Sequence, residues 1–259
     1  MRPLILTISN SMKNIDLVYT NGDSYAIPRT FKICGEHIAD YYNAEHLNKA
    51  VMGSANSRIL RTSLRDLLDL KNQYNNILAC VSLSFIMRTD LWDREHEHDR
   101  WRHGNDGDFM CIGPMAHKNW ATNIKNIVAN AGTKYNSFCR NYATYYDMEA
   151  ETVRLLEKII LFTNWCKNNN IEYIIFSPMY QESIDFSAPF VSNFYKEINH
   201  DKNILNPFDF SFLQWCLDRN HSTIDDHEAI VNGKQYQVGH MGETGHKDFA
   251  KFLIENYLN

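Results

Sequence analysis

A serine hydroxyl stands where the first predicted strand of this 259-residue chain ends. Residues 15–20 form an apolar, β-branched run, and Gly22, Asp23 and Ser24 come shortly after it. In α/β folds the carboxyl ends of the strands form the ligand-binding edge of the sheet, and a glycine permits the sharp turn that presents a nucleophile there. The tripeptide is also ordinary turn chemistry, so it favours catalysis only together with a second feature.

The second feature is His240, near the other end of the chain. It precedes a segment that predicts a closing amphipathic helix with Thr244 as its N-cap. An imidazole on the loop before such a helix can reach a serine at the sheet edge and act as its base, since its pKa lies near 6.5. The alternative for any single loop histidine is a solvated side chain. The apolar positions of the predicted helix are Phe249, Ala250, Leu253, Ile254 and Tyr257.

With these residues the sequence resembles the SGNH (GDSL) hydrolase superfamily, and particularly its divergent members encoded by tailed bacteriophages. The first block of that family, a Gly-Asp-Ser after strand one, is matched by residues 22–24. The second block, a glycine after strand two, is matched by Gly53, and the last block, a histidine followed by Gly-His, is matched by His240 and residues 245–246. The resemblance implies a Ser24 nucleophile with His240 as its base, and it places Asp23 in the same catalytic block.

The sequence departs from the family pattern at two places. Gln237 stands three residues before His240, where the family has its aspartate. Residues 81–90, after the third predicted strand, contain no counterpart of the family's Gly-x-Asn-Asp block. The site is then either a Ser-His dyad or a triad whose acid comes from elsewhere, with Asp225 and Asp226 the nearest candidates in the sequence.

The negative oxygen of a tetrahedral intermediate needs preorganised donors, each worth roughly 3–4 kcal/mol. We expect the backbone N–H groups of Ser24 and Gly53 to supply two of them, because a glycine lets the backbone approach closely. Ser84 is the candidate in place of the missing family asparagine, and an arginine is the alternative. The residues expected to contact substrate are Asn56, Arg58 and Arg88, although a helix cap explains the first two equally well and an ion pair explains the third.

Composition indicates one globular domain over residues 1–259, with 44% hydrophobic and 22% charged residues. A net charge of −5 argues against sequence-independent nucleic-acid binding, and no apolar run approaches the roughly 20 residues of a membrane span. The six cysteines form no Cys-x-x-Cys pair, so we expect reduced thiols and a cytoplasmic protein, in the host cytoplasm if the gene belongs to a phage.

Hydrophobic periodicity predicts strands that alternate with helices, which is typical of a mostly parallel sheet. The expected fold is a three-layer α/β/α sandwich, with flavodoxin-like strand order if the resemblance holds. The long helix predicted over residues 148–168 is expected to face inward with four apolar side chains, Val153, Leu156, Ile160 and Trp165. Beyond the first strand, the predicted helices span residues 33–42, 54–71 and 148–168, and the predicted strands span 45–51, 76–84 and 171–177.

Residues 88–118 are the least regular part of the chain and alternate acids with histidines between 93 and 108. Such a composition can ligate zinc or manganese, but it favours a solvated, charge-laced insertion. We therefore predict no metal and no cofactor, and interpret 88–118 as a lid or substrate-selecting loop over the sheet edge.

The function predicted from these observations is a serine esterase that cleaves an acyl or acetyl ester of a small molecule or glycan through an acyl-Ser24 intermediate. Two alternatives remain open. The same serine could pass the acyl group to a sugar or nucleoside, which would make the protein an acyltransferase. The departures from the family pattern instead favour a catalytically impaired binding protein on the same scaffold. The oligomeric state is not predicted.

Overall fold

The structure is a computed structural model that describes residues 13–86, 88–92, 109–112, 141, 145–179, 185–225, 227–231 and 234–258. The strands are β1 (Leu17–Asn21), β2 (Glu45–Asn48), β3 (Ile77–Ser82), β4 (Thr89–Trp92), β5 (Phe109–Ile112), β6 (Glu172–Phe176), β7 (His227–Val231) and β8 (Lys234–Val238). The helices are α1 (Cys34–Tyr42), α2 (Asn56–Leu70), α3 (Met148–Asn168), α4 (Pro189–His200), α5 (Phe212–Leu217) and α6 (Glu243–Leu253), and a π-helical stretch, Ile254–Leu258, follows α6.

The main sheet has four parallel strands in the order β2-β1-β3-β6. A parallel bridge between Ile175 and Ile204 extends it by one position beyond β6. This is the flavodoxin-like doubly wound order. The second strand lies on one side of β1 and the later strands lie on the other side, which leaves a crevice at the carboxyl edge between β1 and β3. The predicted α/β fold class with a parallel sheet is confirmed.

Two apolar cores cover the faces of this sheet, because successive side chains of a strand point to opposite sides. Leu17 and Tyr19 of β1 join one core with α2, α3 and α4. Val18 joins the other core, with α1, α5 and α6. Burial on both faces explains why β1 and β3 are continuous hydrophobic runs rather than alternating ones. The result is the predicted three-layer sandwich.

The predicted elements match the observed ones with shifted ends. β2 ends at Asn48 rather than residue 51, because the Asn48 side chain accepts a hydrogen bond from the Ala50 N–H and starts a turn. The prediction of Thr244 as N-cap is wrong: α6 begins at Glu243 with Gly242 at the N-cap. On α3 the fully buried stripe includes Leu155 as well as the predicted Leu156. The predicted Val153, Ile160 and Trp165 are only partly buried at the edges of this stripe, against the same core.

Two antiparallel hairpins lie outside the main sheet. The first pairs β4 with β5 inside the predicted lid 88–118. Residues 93–108 and 113–118 of this segment lie outside the described residues, so the acids and histidines considered as metal ligands are not described either. The second pairs β7 with β8, immediately before α6. Within the described ranges no group of three His, Cys, Asp or Glu side chains is arranged to hold a metal ion.

No helix in the described ranges combines the length and the apolar character needed to cross a bilayer. Four cysteines in that part of the chain are buried free thiols, namely Cys34, Cys80, Cys166 and Cys216. Their burial agrees with the expectation of core thiols. Cys139 and the side chain of Cys111 lie outside the description.

His246, on α6, holds the beginning of α1. Its Nδ1 accepts a hydrogen bond from the backbone N–H of Cys34, at 3.3 Å, where the N-cap residue Ile33 has no polar side chain to accept one. The imidazole is 4% exposed and packs against Phe212. Burial, with smaller contributions from His37, Arg29 and His240, lowers the pKa of His246 to about 3. The fold therefore requires this histidine to be neutral.

This requirement predicts acid sensitivity of the fold. A histidine with its pKa lowered on folding contributes fully above the unfolded pKa of about 6.5, and its contribution is lost as pH falls below that value. We expect His246 to account for about 2 to 3 kcal/mol of lost unfolding free energy between about pH 6.5 and about pH 4.5.

Urea unfolding at several pH values checks this expectation in wild type and in His246→Asn, which keeps an acceptor without a titrating group. The variant should lose less stability than wild type over the same pH interval. An identical pH dependence in both proteins would contradict the assignment.

Candidate active site

The candidate nucleophile lies on a tight turn at the carboxyl end of β1. The Ala26 N–H donates to the Asp23 carbonyl at 3.0 Å, so Ser24 and Tyr25 occupy the centre of the turn. A Cβ at Gly22 would come within 2.8 Å of the Cβ atoms of both Ala26 and Ser82. Glycine is needed at position 22 because the turn folds back against β3 at this point.

Asn21, the last residue of β1, anchors the turn to α2. Its amide nitrogen lies 2.9 Å from the hydroxyl oxygens of both Thr62 and Ser63, and its Oδ1 accepts from the Gly22 N–H at 2.8 Å. Asn21 is completely buried. Sequence analysis did not identify this residue, although a polar side chain ending an otherwise apolar buried strand is a recognisable signal.

Asp23 ties the nucleophile turn to the segment after β3. Its Oδ2 accepts hydrogen bonds from Ser84 Oγ at 2.9 Å and from Arg88 Nη1 at 3.1 Å, while its Oδ1 accepts from the Tyr25 N–H. The carboxyl is fully buried, and this burial raises its pKa despite the opposing effects of Arg88 and the hydrogen bonds. Asp23 therefore acts through the position of its neighbour, Ser24.

His240 has an acid partner, and it is Asp225. The ring Nδ1 of His240 lies 2.6 Å from Asp225 Oδ2, and the His240 backbone N–H donates to the other carboxylate oxygen. Burial alone would raise the pKa of the Asp225 carboxyl, but the hydrogen bonds and charge of His240 lower it. An ionised carboxylate on Nδ1 places the imidazole proton there and leaves the lone pair on Nε2.

The β7–β8 hairpin explains how residues fifteen apart come together. The Ile224 N–H donates to the His240 carbonyl at 2.8 Å, and Thr223 bridges to Met241 in antiparallel fashion, so the hairpin closes at its base. Gly239 permits this closure, because a Cβ there would lie 2.4 Å from the Asp225 carbonyl oxygen. Gln237 lies within β8, on the hairpin itself.

The two distant segments of the predicted site meet in space. The rings of Tyr25 and His240 lie 4.7 Å apart between centroids, and the Tyr25 hydroxyl contacts Met179 Sδ at 3.2 Å. Among the described residues nothing bonds to Nε2 of His240, which is buried beside the turn that carries Ser24. Within the described ranges this nitrogen therefore has a free hydrogen-bonding position next to the serine turn.

Gly53, the second residue predicted to donate to an oxyanion, lies in a loop attached to the same turn. It adopts a φ of 75° in a turn from Val51 to Ser54, a conformation that favours glycine. The Val51 N–H donates to the Gly22 carbonyl at 3.1 Å, so this loop is attached to the nucleophile turn. In the described part of the chain neither the Ser24 N–H nor the Gly53 N–H has an acceptor, which leaves both donors open.

The remaining predicted residues surround this turn in different ways. The Ser84 hydroxyl donates a hydrogen bond to Asp23. Asn56 Oδ1 accepts from the Ser84 N–H at 2.6 Å, and Asn56 Nδ2 donates to the Ser84 carbonyl at 2.8 Å. Arg58 is 5% exposed and donates to Ser54 Oγ. The Arg88 side chain is 26% exposed and is thus the one of the three predicted substrate contacts that reaches solvent.

Ser24, Asp225 and His240 therefore share one edge of a parallel sheet. This is the layout that the SGNH resemblance implies. No protein-family model and no curated protein sequence matches the chain.

Two solved structures are similar to the chain over most of its length. An acetyl xylan esterase matches 93% of this chain and 99% of its own, with 11% identity and a TM-score of 0.44. A lipolytic protein of the G-D-S-L family from Desulfitobacterium hafniense matches 92% and 98%, with 10% identity and a TM-score of 0.42. Both TM-scores lie below 0.5, so neither likeness assigns a function to this chain.

The position of Asp225 predicts the effect of removing its charge. Asp225→Asn should lower kcat by about 10³- to 10⁴-fold, because the amide no longer selects the productive imidazole tautomer or stabilises its charged form. Steady-state hydrolysis of a short-chain aryl ester measures this loss. Asp226→Asn, at the adjacent sequence candidate, should retain near-wild-type kcat, and equal losses in both variants would contradict the assignment of Asp225.

Proposed function

We propose that the protein is a serine esterase that uses Ser24 as nucleophile, His240 as general base and Asp225 as the acid of the triad. The observation that supports this most strongly is the 2.6 Å contact between His240 Nδ1 and Asp225, on an imidazole that packs against the residue following Ser24. It supplies an acid that the sequence lacks three residues before the histidine.

In the proposed mechanism His240 Nε2 accepts the Ser24 hydroxyl proton as Oγ attacks the acyl carbon. The negative oxygen that forms is stabilised by the Ser24 and Gly53 N–H groups, each worth roughly 3–4 kcal/mol. Collapse of this intermediate expels the alcohol, which receives from His240 the proton that Ser24 had given up. Water, deprotonated by the same imidazole, then hydrolyses the acyl-Ser24 bond and regenerates the free serine.

Ser84 and Arg88 have a positioning role in this proposal. Both bind Asp23, and Arg88 also donates to the Ser84 hydroxyl at 2.7 Å, so the three polar groups form a closed cluster behind the nucleophile turn. The turn is thereby held in place before substrate arrives, which is the condition for effective oxyanion stabilisation. The family asparagine has no direct replacement among the polar groups of this cluster.

The alternative of a catalytically impaired binding protein draws its support from Gln237 and from the missing asparagine. The argument from Gln237 is weakened by Asp225, because this acid contacts the imidazole of His240. Transfer of the acyl group to a sugar or nucleoside would use the same Ser24 chemistry, and product analysis with added acceptors distinguishes it from hydrolysis.

Active-site labelling tests the nucleophile. A fluorophosphonate probe should label wild type on Ser24 and should fail to label Ser24→Ala, because the alanine has no hydroxyl to attack phosphorus. Intact-protein and peptide mass spectrometry measure the adduct.

The matched control is Ser82→Ala, which removes a buried hydroxyl that has no hydrogen-bond partner in the described ranges. This variant should be labelled like wild type. A folded wild-type protein that takes up no probe, or one labelled equally well without the Ser24 hydroxyl, would overturn the proposal.

A further inference from the structure

Arg29 places a second guanidinium next to the nucleophile turn. Its Nη2 donates to the carbonyl oxygen of Ser24 at 3.3 Å. Its charge also acts on Asp225, where it helps to lower the pKa of the carboxyl. Arg29 is therefore close enough to Asp225 for their charges to interact, whereas Arg88 pairs with Asp23.

The two arginines differ in how their charges are compensated. Arg88 forms a salt bridge with the fully buried carboxylate of Asp23, at 3.1 Å. Arg29 is half-buried and makes no ion pair with any carboxylate in the described part of the chain. An arginine carries five N–H donors, and the contact with Ser24 uses one of them. Most of the N–H donors of the Arg29 guanidinium, which has a forked planar shape, are free to bind a ligand.

A free guanidinium fork next to a reacting serine suits one class of ligand. Its parallel N–H groups match the paired oxygens of a carboxylate or a phosphate, and such charge-assisted bonds are about twice as strong as neutral ones. The energetic argument points the same way, because a partly buried cation without a counter-charge is costly unless something pairs with it.

We propose that Arg29 forms a subsite for an anionic oxygen group, a carboxylate or a phosphate, carried by the ester substrate. This inference rests on the proposed esterase function and narrows its substrate class to anionic esters. The group binds on the side of the nucleophile turn where Arg29 contacts the Ser24 carbonyl. The chain's net charge of −5 gives no general attraction for anions, so the preference must come from this local cation.

Matched esters test the subsite. Para-acetoxybenzoate and its methyl ester carry the same acetyl group and differ in one charge. Wild type should prefer the anionic ester in kcat/KM by about tenfold or more, after each value is divided by the rate constant of its hydroxide-catalysed hydrolysis. A third ester, 4-acetoxyphenyl phosphate, carries the same acetyl group with a phosphate in the para position. Its comparison with the same neutral ester distinguishes phosphate from carboxylate.

Arg29→Met should abolish this preference, and Arg29→Lys should retain part of it, because lysine keeps the charge without the fork. The preference of wild type should also weaken as ionic strength rises. Lys32→Gln is the charge control: it removes an exposed cation three residues away that pairs with Asp40, and the ratio should stay at the wild-type value.

The outcomes separate the subsite from the proposed function. Hydrolysis of both esters with a ratio that is near one, or that Arg29→Met does not change, would overturn the subsite and leave the esterase intact. Failure of Ser24 to react with either ester or with the fluorophosphonate would overturn the esterase and the subsite together. Thermal unfolding of each variant identifies any loss that comes from misfolding.

Discussion

The buried carboxylate of Asp23 is the interaction on which the rest of the site depends. A charge that is completely removed from water needs donors around it, and here they come from the segment after β3 and from the adjacent backbone. Those donors must themselves be held in place. Asn56 does so by binding both backbone groups of Ser84, which links α2, β3 and the nucleophile turn.

The glycine positions follow from the same constraint. Gly22 lies against Ala26 and Ser82 because the chain must turn sharply where β1 leaves the sheet. The loop after β2 binds the Gly22 carbonyl, and its own turn places Gly53 at positive φ. In the proposed mechanism, the Ser24 and Gly53 N–H groups at this edge of the sheet stabilise the developing charge, and preorganised backbone donors suit that role.

Charge compensation divides the site into two halves. On the β3 side, the fully buried Asp23 forms a salt bridge with Arg88, whose side chain is partly exposed. On the side of the C-terminal segment, Asp225 is shared between the imidazole and the backbone of His240, and Arg29 lies near it without a direct salt bridge. The first half stabilises the turn, and in the proposed function the second half carries proton transfer and the recognition of a charged group.

The sequence alone was sufficient for the α/β class, because the periodicity of α3 and the apolar runs of β1 and β3 are local signals of burial. It was also sufficient to name Ser24 and His240 as candidates, since both follow or precede strongly patterned elements. The ends of β2 and α6 were less predictable, because a single side-chain or backbone hydrogen bond decides where an element stops.

Only the tertiary structure decided which acid contacts His240 and what Asn56 binds. Asp225 and Asp226 are equivalent in a linear reading, and the closed base of the β7–β8 hairpin brings the first of them to the imidazole. Likewise, Asn56 binds Ser84, 28 residues further along the chain, and the two segments meet only when the parallel strands are aligned. Local sequence determines which segments are buried, whereas contacts between loops depend on the sheet order, which no local pattern encodes.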